Sequence, residues 1–290
     1  MNDTPSSEIH AGIIGLRVKV FLRSPLRRRL ASRLMRLLDK VSGQQVLEMT
    51  ADDALSAALQ GAGGGGGGSW NSVAVSDVQA ELLAEAGMER IHLAALPKLP
   101  FEDGVFDAVV ASDVLEYVEK PTDLMAEFHR VLGSKTRLIL HVRRKRRSLV
   151  GVLRKWSGLT DPTRPQIHPG FTPTELFDVL KDGFDVQETA GYGRFFTELA
   201  TLLADLFAGV IPSSCEPAAL DERRLRRTAG VYAVFTPVFW VAGVLDLLVF
   251  FLPYHHMVIR AKRRMMWVPR VTLRLRDGRN IAEATLGYKI

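Results

Sequence analysis

The 290 residues are 47% hydrophobic and 24% charged, the balance of a chain that folds around a sizeable core. Cys215 is the only cysteine, which excludes a disulfide scaffold within one chain and a cysteine-rich metal site, and no metal centre is expected. The net charge of +6 admits an anionic partner without demanding one.

Met1 to Glu8 is polar and acidic and lacks the charged-then-apolar layout of a secretion signal, so a cytoplasmic location is expected. Ile9 to Val41 predicts a basic amphipathic helix broken near Pro25. Between Arg17 and Lys40 stand nine Lys or Arg residues and one acid, Asp39, while Leu30, Leu34, Leu37 and Val41 recur at helical spacing. Such a helix either packs beside the first strand with a solvated basic face or lies on an anionic membrane surface. Without an interleaved aromatic platform, nucleic acid is not the expected partner. Gln44 to Met49 predicts the first strand and Asp53 to Gln60 the helix after it. Gly61 to Gly68 holds six consecutive glycines. It follows a helix and precedes no Gly-Lys-Ser/Thr, so it reads as a flexible connector and not as a phosphate cradle. Ser72 to Ser76 predicts a second strand and Ile91 to Leu93 a third. Asp77, at the end of strand two, either caps the helix Val78 to Ala86 or holds ribose hydroxyls, as acids do there in nucleotide-binding sheets.

The chain is organised around Leu99 to Val118. Glu102-Asp103-Gly104 is a turn, Phe106 to Ala111 is an apolar run suited to a doubly covered parallel strand, and Ser112-Asp113 breaks it, with a helical pattern expected to follow through Pro121. Asp123 to Leu132 predicts a helix and Thr136 to Val142 strand five. Arg143 to Arg147 then carries five consecutive positive charges, either a solvated loop or a surface for an anionic substrate or headgroup. In His168 to Leu176, Thr172 with Glu175 makes a capping box and Pro173 suits the first turn. Phe184 to Thr189 predicts strand six and 256–262 a last strand.

The words LPFEDGVFDAVVASDVLEYVEKP, at 99–121, resemble the region around the fourth strand of class I S-adenosylmethionine (SAM)-dependent methyltransferases, in the small-molecule branch. HPGFTPTEL, at 168–176, resembles the segment after their fifth strand. The resemblance implies an α/β fold, a doubly wound, seven-stranded, mostly parallel sheet, with the last strand antiparallel between strands five and six. It implies SAM as cofactor and places Glu48, Thr50, Asp52, Asp77, Leu96, Ser112 and Asp113 around it. It offers His168 and Tyr117 as bases. The sequence departs from the family at two places. Thr50, Asp52 and Ala54 stand where the family has three glycines, and Ala95 stands where it has an acid. Asp52 brings a negative charge toward the place of the SAM carboxylate, which is unfavourable unless a cation compensates.

The expected organisation is a basic helical segment at 1–41, a methyltransferase-like core at 42–194 and an apolar helical insertion at 195–254. The last strand at 255–264 and an unassigned tail at 265–290 complete it. Ala229 to Leu252 is 24 residues long, enough to span a bilayer, but Pro237 and Asp246 interrupt it and strands of one sheet flank it. It is expected to form two helices broken near Pro237 that cap the cleft or enter one leaflet, not a single crossing. Two functions follow. One is a SAM-dependent methyltransferase acting on a small-molecule, lipid or glycan-type acceptor near a membrane, peripheral on its inner face. The other is a degenerate methyltransferase fold that binds no SAM and serves as a membrane-associated binding or scaffold module.

Overall fold

The computed structural model describes residues 4–38, 44–63, 69–145, 149–157, 167–209 and 221–268. The glycine run beyond Gly63, Arg146, Arg147, Cys215 and the tail beyond Val268 lie outside the described residues. Among them, seven strands form one sheet: β1 (Gln45–Thr50), β2 (Ser69–Ala74), β3 (Ile91–Leu93), β4 (Phe106–Ser112), β5 (Leu132–Arg143), β6 (Phe184–Tyr192) and β7 (His256–Arg263). Their order is β3-β2-β1-β4-β5-β7-β6, and β7 runs antiparallel to both of its neighbours. This is the expected topology, with the last strand inserted between strands five and six.

β4 is the centre because its run is apolar on both sides. Every residue but Asp107 is buried, as a parallel strand covered by helices on both faces requires. One face receives α5 (Pro121–Val131) and α7 (Pro173–Leu180), packed over Met49, Val109 and Leu138. The expected Thr172/Glu175 capping box opens α7, with both reciprocal hydrogen bonds formed. The other face receives α2 (Pro25–Leu38), which buries Leu26, Leu30, Leu34 and Leu38 against Val46, Ala108, Val110 and Ile139. Pro25 has no N–H to give a continuing helix, so the N-terminal segment breaks there, after α1 (Thr4–Arg23).

Four elements differ from expectation. β2 starts at Ser69 and ends at Ala74. The Ser76 hydroxyl accepts the Gln79 N–H and caps α4 (Asp77–Glu85), drawing the chain out of the ladder. Ser76 is thus the cap, and Asp77 is an exposed first-turn residue. No full helix follows Asp113. A single 3₁₀ turn, Leu115–Tyr117, is all that forms, because Asp113 has φ of +52° and Pro121 disfavours helical backbone at Lys120. β5 and β6 are longer than expected, and β6 extends to Tyr192.

After α3 (Asp53–Gly63) on the β1 side and α6 (Leu149–Trp156), the insertion forms α8 (Phe195–Ala208), α9 (Glu222–Val234) and α10 (Thr236–Leu248). These pack on α1 through Val20, Ala200, Ala204, Ala229, Tyr232 and Phe239. α9 and α10 bend by 52° at a break beside Pro237. Among the described residues no single helix is long and apolar enough to cross a membrane; the bent pair passes only when taken together. Asp246, which would be costly in lipid, is buried on protein. Its carboxylate accepts from the N–H groups of Arg194, Phe196 and Thr197 and from the Thr197 hydroxyl, capping α8 from α10.

Candidate functional site

Parallel strands deliver their polar ends to the carboxyl edge of the sheet, and where β1 and β4 diverge in chain order that edge is the binding crevice of open α/β folds. Thr50 closes β1 and pairs in register with Ser112, which closes β4. Glu48 is buried two residues back in the strand, where Ser56 and Ser72 donate to its two carboxylate oxygens. Burial raises its pKa, and the serine hydrogen bonds moderate the rise. The Thr50 hydroxyl lies 2.6 Å from Ser56 Oγ and turns inward to the same cluster. Asp52 accepts from the Ala54 N–H at 3.1 Å and so caps α3. Arg27 Nε of α2 stands 3.9 Å from Asp52, supplying the compensating cation. A second pair from the N-terminal helices, Arg17 with Asp53 at 2.6 Å, is fully buried.

The other half of the crevice is richer. Asp113 sits in the left-handed region just past β4, 3.4 Å from His141 Nδ1 and 3.5 Å from Arg143 Nε. The Ser112 hydroxyl is 2.9 Å from the same His141 nitrogen. On its far side, His141 Nε2 meets the Tyr192 hydroxyl at 3.0 Å and His256 Nδ1 at 3.2 Å. His256 Nε2 in turn meets Glu198 Oε1 at 2.8 Å. The two imidazoles stack at 5.3 Å between centroids, and Tyr192 stacks on His256 at 5.1 Å. One polar chain therefore runs from the end of β4 through β5, β7 and β6 to α8. Gly193 makes the last joint possible. Its φ is +69°, and a Cβ there would stand 2.9 Å from Leu26 and 3.0 Å from Glu198.

The titrations of this cluster are driven apart. Burial would raise Asp113, but His141 and Arg143 outweigh it and hold the carboxyl well below the usual range. Glu116, buried and facing the Asp113 charge, is pushed up to about 7 even though it accepts the Arg143 N–H at 2.8 Å. Glu198, despite burial, is held at about 2 by His256. Carboxyls perturbed this strongly in one crevice mark it as the candidate functional site.

Of the residues anticipated from sequence, Glu48, Thr50, Asp52, Ser112 and Asp113 lie together on the ends of β1 and β4. Asp77 opens α4 after β2. Leu96 is half-buried after β3, packed on the main core. Tyr117 lies in the 3₁₀ turn, one residue from Glu116. His168 is fastened to that turn: its N–H donates to Glu116 O at 3.0 Å and its Nε2 lies 3.4 Å from Glu119 O. Sequence reasoning missed Glu116, His141, Tyr192, Glu198 and His256. A signal existed for two of them, since His141 and His256 are polar residues set at strand positions amid Leu-Ile-Leu and Met-Val-Ile.

Residues 61–140 match the family model described as a methyltransferase domain. No curated protein matches the chain. A solved structure of a candidate sarcosine dimethylglycine methyltransferase from Galdieria sulphuraria is similar at a TM-score of 0.53 and 12% identity, over 81% of this chain and 86% of that one. A geranyl diphosphate C-methyltransferase from Streptomyces coelicolor A3(2), solved with S-adenosyl-L-homocysteine, is similar at a TM-score of 0.49 and 14% identity, over 81% and 78%. At these identities the likeness to solved structures is one of fold. The methyltransferase-domain match thus spans α3 to β5, and the sheet around it has the doubly wound, mostly parallel strand order that the resemblance implies.

Proposed function

We propose that the protein is a SAM-dependent methyltransferase that acts on a small-molecule acceptor at a membrane surface. The observation that carries this reading is a pair of enclosed carboxylate oxygens past β4, on half-buried Asp113 and buried Glu116. Glu116 Oε2 and Asp113 Oδ1 are enclosed and accept no hydrogen bond among the described residues, Asp113 Oδ1 having only its ion pair with Arg143 Nε at 3.5 Å. Unsatisfied buried acceptors are costly, and the ammonium group of SAM is a donor that would relieve them. The β4 side therefore fits the cofactor. On the β1 side the glycines are gone, yet Arg27 beside Asp52 restores a cation where the SAM carboxylate would need one. Asp77 is free at the start of α4 to take the ribose hydroxyls, and Leu96 lies beside the adenine position that the family resemblance implies.

SAM, when bound, supplies an electrophilic methyl group, so the protein mainly orients the acceptor and excludes water. A proton leaving the acceptor enters the His141–His256 chain, where Asp113 on one side and Glu198 on the other stabilise an imidazolium. His168 and Tyr117 border the same crevice, and His168 serves to hold the Glu116 turn in place. The membrane part of the reading rests on α10, whose outward face is apolar and uncovered, beside the basic face of α2.

A second reading, a fold that no longer takes SAM, is favoured by the closed Glu48–Ser56–Thr50 cluster, which spends on the protein itself the polar groups of the β1 loop. Calorimetric titration of the purified protein with SAM and with S-adenosylhomocysteine separates the two. Binding that weakens in Asp113→Asn supports the enzyme; no binding at millimolar SAM refutes it in favour of the scaffold.

A further inference from the structure

Bordering the polar chain at Tyr192, a cavity of about 380 Å³ opens between α2, the end of β6 and α10. That volume is at the small end of ligand sites and exceeds one water cluster. Its lining is dominated by five guanidinium groups, those of Arg28, Arg29, Arg33, Arg36 and Arg194. The single carboxylate among them is Asp246, which is already spent on the α8 N-terminus. Arg33 is held in place from two directions. It donates to Gly191 O at 2.9 Å and lies over the Tyr192 ring at 5.2 Å. Arg194 is fixed by the carbonyls of Phe250 and Leu252. Arg28, Arg29 and Arg36 form no ion pair among the described residues.

Clustered cations without counter-charge repel. Burial and the neighbouring Arg36 and Arg29 charges lower the Arg33 pKa, although Tyr192 opposes them. Nothing in the packing of α2 requires this arrangement, because its apolar stripe is on the opposite side. Planar forks in such number match the oxygens of a phosphate group, which takes bidentate pairs from arginine.

The rim identifies the source of the phosphate. Leu247 lines the cavity and is 69% exposed, and from it an apolar surface runs outward through Trp240 (73%), Leu248, Phe250 (73%) and Phe251 (70%). A contiguous exposed apolar face next to a basic pocket is the arrangement of an interfacial helix, with its side chains among acyl chains and its cations at headgroup level. We propose that the α2–α10 cavity binds the phosphate of a membrane lipid headgroup while the outer face of α10 rests in the leaflet. The proposal rests on the membrane part of the function above and not on methyl transfer.

The test contains no SAM, so its failure leaves the methyltransferase reading standing. Full-length protein is co-sedimented with phosphatidylcholine vesicles carrying phosphatidic acid, with and without pyrophosphate at constant ionic strength. Phosphatidylglycerol vesicles of equal surface charge serve as the control. Wild type is expected to bind the phosphatidic acid vesicles best and to be released by pyrophosphate. The triple variant Arg29→Gln, Arg33→Gln, Arg36→Gln is expected to bind about tenfold or more weakly, as loss of charged phosphate contacts implies. Phe250→Ser with Phe251→Ser should weaken vesicle binding but leave the pyrophosphate-induced rise in melting temperature intact. Should the triple variant not melt cooperatively, Arg28→Gln with Arg36→Gln, both exposed on α2, makes the same comparison. Binding that follows surface charge alone and ignores pyrophosphate overturns the site. Stabilisation by pyrophosphate without any vesicle binding overturns the lipid source.

Discussion

Replacing Glu116 by glutamine should make the protein more stable above neutral pH and less stable in acid. Glu116 has no exposed surface, and its pKa is raised to about 7 from an ordinary 4.5 by burial first and the Asp113 charge second. A carboxyl whose folded pKa lies above its unfolded value costs stability in its ionised form. Below pH 4.5 it is protonated in both states and the cost is absent. The cost grows as pH rises through 4.5 and is complete above 7, where about 2.5 units correspond to about 3 kcal/mol. Glutamine cannot ionise, and its carbonyl can still accept the Arg143 N–H. Its amide N–H₂ replaces Glu116 Oε2, which has no partner, at a constant cost of about 1 kcal/mol. The variant should therefore be about 2 kcal/mol more stable than wild type at pH 8 and about 1 kcal/mol less stable near pH 4. Urea unfolding with linear extrapolation at several pH values between these limits reads the difference directly. A stability difference that stays constant across that range would refute a carboxyl titrating near neutrality.

The remaining predictions probe other joints of the fold and site. Asp246→Ala leaves four donors at the start of α8 without their acceptor and should cost about 3 kcal/mol in urea unfolding, with faster amide exchange in the first turn of α8; a cost under about 1 kcal/mol would mean that α8 does not depend on α10. Gly193→Ala places a Cβ in left-handed backbone against Leu26 and should lower stability by about 2 kcal/mol, which thermal or chemical denaturation checks. Arg27→Gln strips Asp52 of its cation and Asp77→Ala removes an acceptor for ribose; each should weaken SAM binding about tenfold in calorimetry, and an unchanged affinity removes that residue from the site.

The sheet was legible in the sequence because its signals are local. Phe106 to Ala111 is an uninterrupted apolar run, the Thr172/Glu175 box fixes a helix start, and Met257 to Ala261 reads as a strand. β4, β6 and β7 therefore begin within a residue of their expected starts. Boundaries failed where a side chain competes with the backbone, as Ser76 does at the end of β2. Half of the candidate site was legible for the same reason: Ser112 and Asp113 end a recognisable strand. The other half was not, because the His141–His256–Glu198 chain joins residues 115 and 58 positions apart, and only the antiparallel insertion of β7 makes them neighbours. A period-2 pattern says that His141 faces one side of the sheet; it carries no information about which ring stacks on it.

The N-terminal helices show why the altered β1 loop is compatible with a built site. In isolation, Asp52 at the head of α3 looks like damage, since it puts a charge where the family resemblance implies a glycine, and Asp53 adds a second acid beside it. The same chain, however, carries nine basic residues upstream, and the fold uses particular ones. Arg17 is buried against Asp53, Arg27 stands by Asp52, and Arg33 lies over Tyr192 at the far end of the polar chain. The segment that reads as a solvated basic helix is thus pinned along its length to the acids and rings of the crevice, while Arg28, Arg29 and Arg36 face the neighbouring cavity. An isolated buried charge such as Asp53 would be costly, and removing its partner should be more damaging than removing both. Loop acids and helix arginines therefore constitute one unit. If it is a unit, Asp53→Asn combined with Arg17→Met should be less destabilising than Arg17→Met alone, and a double-mutant cycle in urea that returns purely additive values would dissolve it.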